Sequence, residues 1–436
     1  MKSSNNFVED KLMPIAAKMS ANKALIAVRD GITLAMPLII IGSLFMIIAS
    51  FPIPGWWEAW LGEIGVAPYL WKGVDSSFGL IGLVASFGIA QSMANQYGAD
   101  GVAAGIISLS SFITVTPFVT GETGTGITVS RMGAAGLFVA IILGLLSGYI
   151  YQWFIARDLQ IKMPDSVPPA VGRSFSAIIP GAFIITMWLI ISSVLDATGL
   201  PDLHNLAQAI LGGPLSLLGS NVFGTMLMAG LNSMFWFVGL HGGNTVNQIM
   251  SPIWLANLDE NIAAYQSGTE LPHIITTPFM DNFVYMGGGG ATLGLVIVLA
   301  VLARKRKASK QTKTLAPLTL VPGIFNINEP AMFGIPVVLN LLLIVPFILA
   351  PIVNVLIAYT AMSIGLVPLT RVATAWTMPP ILSGFLTTGS IAGALLQVFM
   401  IVVNVLLYLP FYYAVEKNNL RQEEKETSEQ LKEETV

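Results

Sequence analysis

FNINEPAMFG, residues 325–334, holds the only charged side chain between Lys313 and Arg371. An ionised carboxylate inside a bilayer costs on the order of a few kcal/mol, so carboxylates at that depth usually face a cavity. The surroundings of Glu329 match that setting. The chain has 436 residues, 54% of them hydrophobic and 10% charged, where a soluble globular protein carries about 25% charged residues. A helix needs about 20 mostly apolar residues to cross a hydrocarbon core of about 30 Å. Outward from Glu329 such runs recur at 28–50, 77–97, 101–118, 133–155, 174–198, 220–240, 281–303, 335–360 and 388–414. The composition therefore gives an all-α polytopic membrane protein.

Other segments fit no ordinary span. Residues 5–23 are polar and read as amphipathic, and 202–219 are half apolar and fit a helix lying at the interface. The stretch 51–73, with Trp56, Trp57, Trp60 and Trp71, reads as a loop carrying an aromatic belt. Residues 241–280 are punctuated by glycine, asparagine and proline, yet 203–258 contain no Asp, Glu, Lys or Arg. Residues 314–334 are broken by Pro317, Pro322, Gly323 and Pro330. Irregular backbone at membrane depth survives only where protein or a wet cavity covers it, so both stretches read as re-entrant hairpins of the kind that build substrate sites. Residues 365–386 are a further span or another broken segment. The tail 416–436 is charged, lacks aromatics and reads as solvated and largely disordered.

The expected division is an amino-terminal membrane scaffold over 1–200, a working region over 201–415 and the charged tail over 416–436. Basic clusters mark the cytoplasmic side. Those at the amino terminus, 157–173, 304–313 and the tail do not all fall on one side by simple alternation, so the termini are placed inside and the middle loops left open. The amino terminus lacks a signal-peptide pattern, and with no cysteine on the chain there is no disulfide or thiolate chemistry.

The polar residues in the apolar runs point to one kind of ligand. Glu329 stands beside Pro330, which lacks a backbone donor, and between Asn326 and Asn328, whose amides both donate and accept. A plainer reading pairs Glu329 with Arg371 or makes it a helix cap. His241 ends an apolar helix ahead of Gly242, Gly243 and Asn244, and its imidazole either serves a ligand or caps the helix. A metal site is not expected, since one histidine offers no ligand spacing. Asp281 and Asn282 precede four glycines, Gly287 to Gly290, with no Lys-Ser/Thr to follow; the run suits close packing or close approach to a ligand better than a phosphate loop. Trp376, beside a proline pair, offers a stacking face for a sugar ring or ordinary packing. One acid, one imidazole, several amides and an aromatic face suit a neutral, hydroxyl-rich ligand, recognised through the cost of leaving buried polar groups unpaired.

GLHGGN at 239–244, MDNFVYMGGGG at 280–290 and NINEPAMFG at 326–334, in this order, resemble the membrane component, enzyme IIC, of the bacterial phosphotransferase system, in its lactose/cellobiose/diacetylchitobiose branch. The resemblance covers residues 5–415. It implies a homodimer in the bacterial cell membrane, about ten spans per protomer, a dimerising amino-terminal half and a sugar held between two re-entrant hairpins in the other half. It implies import of a β-linked disaccharide with phosphorylation of its 6-hydroxyl by a phosphocysteine on a separate enzyme IIB, itself fed by IIA, HPr and enzyme I. No cofactor is implied. By the same resemblance Glu329 and His241 lie beside the reacting hydroxyl as the catalytic pair, Asn282 and Asn244 bind other hydroxyls, and Trp376 lines the sugar. Asn326 and Asn328 align Glu329 and complete the expected substrate-binding set. The basic loop 304–313 is either a dock for enzyme IIB or a topology signal. A competing class is a proton-coupled secondary sugar transporter in which Glu329 carries the proton.

Overall fold

The computed structural model describes residues 14, 18, 21–53, 55–121, 124–164, 166–335, 337, 338 and 340–433. The expected amphipathic segment 5–23 lies almost wholly outside these residues. The chain forms two compact units, one from 17–219 with 248–270 and another from 220–247 with 271–436.

In the first unit the principal helices are α1 (Lys23–Leu34), α2 (Met36–Ala49), α3 (Ala67–Asp75), α4 (Ile81–Asn95), α5 (Gly101–Val115), α6 (Leu137–Ala156) and α7 (Ile178–Ala197). Side-chain caps start two of them: the Asn22 Oδ1 accepts from the Ala24 and Leu25 amides, and the Asp100 Oδ1 from those of Val102 and Ala103. Helix α4 is the hub, because small residues let its neighbours come close. A Cβ on Gly88 would lie 2.8 Å from the Cα of Gly31 on α1, and Ser86 meets Ser108 of α5 hydroxyl to hydroxyl at 2.9 Å. Lipid offers helices no hydrophobic drive to associate, so such close contacts and interhelical hydrogen bonds hold them together.

Several expectations change here. The 51–73 stretch is helical over Trp57–Glu63 and α3; the Trp57 indole donates to the Ile48 carbonyl at 2.7 Å, tying it to the end of α2. Residues 248–266, inside the stretch expected to be irregular, are one regular helix. Pro252 stands near its start, where a single ladder bond is lost. A short exposed antiparallel hairpin, β1 (Val119–Gly121) with β2 (Gly124–Gly126), is the exception to the all-helical fold among the described residues. His204 is buried, edge-on to Phe112, with its Nε2 at 2.9 Å from the Thr116 hydroxyl.

The second unit comprises α8 (Val222–Phe237), π-turns at Gly243–Asn247 and Phe279–Val284, α9 (Leu293–Ala303), α10 (Lys310–Ile324), α11 (Glu329–Gly334), α12 (Ile344–Ser363), α13 (Leu382–Thr388) and α14 (Ile391–Glu433). The 365–386 stretch is a broken segment, irregular until α13 begins. Helix α14 runs through to Glu433, so the tail expected to be disordered continues the last helix. Its Glu, Lys and Gln are good helix formers and need no nucleus of their own when they extend a packed helix.

One side of α14 is polar and buried. Gln397, Asn404, Tyr408, Tyr412 and Glu416 recur at helical spacing, and each is at most 6% exposed. Against this stripe lie the irregular segments. Tyr408 donates to the Gly290 carbonyl at 2.6 Å, Tyr412 meets the Thr312 hydroxyl at 2.9 Å, and Glu416 accepts from the Ser309 amide and hydroxyl at 2.7 and 2.8 Å.

Among the described residues six stretches are long and apolar enough to cross a membrane, or eight if two broken pairs each count as one span. The protein is a multi-pass helical membrane protein.

Candidate functional site

All the residues expected to form the site fall in the second unit. Glu329 opens α11, directly after the break Phe325–Asn328. Pro330 fits in the first turn because its missing N–H would have had no helical partner there. The Asn328 carbonyl takes up the next two amides, Ala331 and Met332, at 2.9 Å each. His241 lies just past the end of α8, where Trp236 backs it with ring centroids 4.2 Å apart.

The His241 Nε2 lies 3.9 Å from the Glu329 Oε1, with side chains 43% and 48% exposed. That separation is beyond hydrogen-bond range. The Asn244 backbone N–H donates to the His241 Nδ1 at 3.0 Å. With Nδ1 accepting, a neutral imidazole carries its proton on Nε2, the nitrogen nearer the carboxylate. An oxygen about 2.8 Å from each atom closes a triangle on the 3.9 Å base. A hydroxyl placed there accepts from Nε2–H while donating to Oε1.

The asparagines divide into two kinds. Asn326 and Asn328 are buried, at 6% and 4% exposure, and both clamp backbone. Asn326 accepts from the Gly287 amide at 2.6 Å and donates to the Trp376 carbonyl at 2.5 Å; Asn328 donates to the Gly289 carbonyl at 3.2 Å. They hold the Glu329 break against the glycine run. Asn244, by contrast, is exposed. Asn282 is buried and donates to the Thr374 hydroxyl at 2.6 Å, while its Oδ1 has no partner among the described residues. Trp376 is 41% exposed.

The run Gly287–Gly290 is a packing junction. A Cβ on Gly288 would lie 2.8 Å from Asn328, on Gly289 2.4 Å from the Trp236 ring and on Gly290 2.1 Å from Phe347. Gly287, Gly288 and Gly290 also have positive φ, which glycine adopts without steric cost.

Sequence reasoning missed Thr374, Tyr285 and Gln397. Tyr285 donates to the Asn247 Oδ1 at 3.2 Å, which also accepts from Asn232 at 2.8 Å, bracing the turn that follows His241. A polar residue within an apolar run, the signal that exposed Glu329, also marks Gln397. Among the described residues no three His, Cys, Asp or Glu side chains gather as a metal site would require.

A family model for the phosphotransferase system EIIC matches residues 29–351. The lichenan permease IIC component of Bacillus subtilis (strain 168) is 44% identical, over 97% of this chain and 96% of its own length. The cellobiose-specific EIIC component of a phosphotransferase system from Geobacillus stearothermophilus is 42% identical, over 96% and 95%. The crystal structure of the transporter ChbC, the IIC component from the N,N'-diacetylchitobiose-specific phosphotransferase system, superposes with a TM-score of 0.89 at 39% identity, covering 96% of this chain and 99% of that one.

Proposed function

Because this chain belongs to the phosphotransferase system EIIC family, we propose that it imports a neutral β-linked disaccharide of the cellobiose, diacetylchitobiose or lactose type while the sugar 6-hydroxyl is phosphorylated. The donor in this reading is a phosphocysteine on a separate enzyme IIB, recharged through IIA, HPr and enzyme I. The observation that carries it is the His241–Glu329 pair, half exposed and separated by 3.9 Å.

In the reaction the 6-hydroxyl sits between the two groups. Glu329 accepts its proton as general base, and His241 Nε2–H holds the oxygen on line. The oxygen attacks phosphorus, the P–O bond forms, and the S–P bond to the enzyme IIB cysteine breaks, leaving a thiolate. Phosphoryl transfer needs chiefly positioning and charge stabilisation, and a base must reach the proton it takes. Asn326 and Asn328 support the carboxylate by fastening its loop. Asn244, Asn282 and Trp376 take the remaining hydroxyls and a ring face.

The same reading brings ten spans, with re-entrant hairpins within 241–280 and 314–334. It brings a homodimer formed by the amino-terminal half, 1–200, with substrate bound by 201–415. It puts both termini and the 416–436 tail in the cytoplasm. The non-helical stretches 267–276 and 325–328 support the hairpins.

Glu329→Gln keeps the hydrogen-bonding shape and removes the base. Sugar affinity should change less than about threefold, while phosphorylation by phospho-IIB falls about 100-fold or more. Normal phosphorylation by this variant contradicts the base assignment and leaves Glu329 as a sugar ligand.

A further inference from the structure

We infer that Gln397, inside the apolar part of the last helix, is a positioning residue for sugar binding that acts through Asn282. The inference rests on the reading above that Asn282 takes a sugar hydroxyl.

Gln397 is fully buried and uses every hydrogen-bonding site it has. Its Nε2 donates to the Asn282 carbonyl at 2.6 Å and to the Ser383 hydroxyl at 2.9 Å. Its Oε1 accepts from the Ile381 amide at 2.5 Å and the Gly384 amide at 2.8 Å. A carboxamide has two donors and two acceptor positions. A buried amide costs free energy unless paired, so a fully paired one inside a membrane helix fixes the geometry of all it touches.

What it touches are the two broken segments. Ile381 and Gly384 supply amides at the start of α13, where a helix leaves donors unsatisfied. Ile381 has a φ of 77°, an outlier for a β-branched residue that persists only where its surroundings over-determine it. Gln397 provides that constraint. On the other segment it holds Asn282 by its backbone, while Thr374 holds the Asn282 amide nitrogen at 2.6 Å. The acceptor left over is the Asn282 Oδ1, buried and without a partner among the described residues. This oxygen is buried, and the bond from Gln397 to the backbone of the same residue sets its position.

The test is binding of cellobiose and of diacetylchitobiose to purified full-length protein, with turnover by phospho-IIB at saturating sugar. Gln397→Leu should weaken binding about tenfold, the loss of roughly one hydrogen bond, with turnover at saturation little changed. In an Asn282→Ala background it should cost less than about twofold further. Ser383→Ala, which removes the one bond that does not hold backbone, should leave affinity unchanged. Gln397→Met keeps the length of the side chain and removes the donors to Asn282 and Ser383, and gives the same direction if the leucine variant does not fold. An equal loss from Gln397→Leu with and without Asn282, or an equal loss from Ser383→Ala, overturns the proposal. The two readings fail separately: Glu329→Gln loses turnover and keeps binding, and Gln397→Leu loses binding and keeps turnover.

Discussion

Asn326 shows how one side chain can fasten two distant stretches of backbone. Its φ is 61°, a left-handed conformation that asparagine tolerates better than most residues. From that pose its amide reaches both Gly287 and Trp376. Asn326→Ala loses both bonds and keeps the backbone strain, and should lower stability by about 2–4 kcal/mol. Asn326→Gly relieves the strain and should recover roughly 1 kcal/mol of that loss. Thermal melting in detergent measures both, and equal midpoints for alanine and glycine would remove the strain argument. Glu329 and His241 were legible because a charge or an imidazole stands out in an apolar run. The work of Asn326 was not, since its partners lie 39 and 50 positions away along the chain. Asn282 and Asn328 were hidden in the same way: the sequence marks them as polar but does not say that backbone and Thr374 already occupy their nitrogens.

The elements that carry the candidate site residues are short, interrupted and fastened to one long helix. The glycine run shows the cost of that compactness. Gly290→Ala places a methyl 2.1 Å from Phe347 at a φ of 76°, and overpacking with strain should cost about 2–4 kcal/mol. A melting midpoint like that of the parent protein would show the junction to be loose. At the far end of the stripe, Glu416 accepts from the Ser309 amide and hydroxyl and from the Thr312 hydroxyl, fixing the start of α10. Glu416→Ala leaves these donors without their acceptor and should cost about 1–3 kcal/mol. Hydrogen exchange reads it locally, as faster exchange of the Ser309 amide with Gln397-side amides unchanged. The stripe follows a helical period and was present in the sequence, yet apolar neighbours made α14 read as a plain span. The charged tail misled for the opposite reason: its composition lacks a core, but a helix already packed over Ile391–Glu416 carries it on.

For the whole molecule, composition alone settled a multi-pass helical membrane protein, because so few charges cannot cover a soluble surface. Division into units was harder to read, since the chain leaves the first unit at 219 and returns to it over 248–270, an excursion that hydropathy does not mark. Function enters at this scale, because a carboxylate beside an imidazole can hold a hydroxyl for transfer or carry a proton for symport. Uptake by vesicles containing the protein, with and without phosphorylated enzyme IIB, separates these by the chemical form of the sugar inside. The account predicts disaccharide 6-phosphate that appears only with phospho-IIB and is indifferent to a protonophore. Free sugar accumulating against its gradient, and lost when the proton gradient is collapsed, would contradict it and make Glu329 a proton carrier.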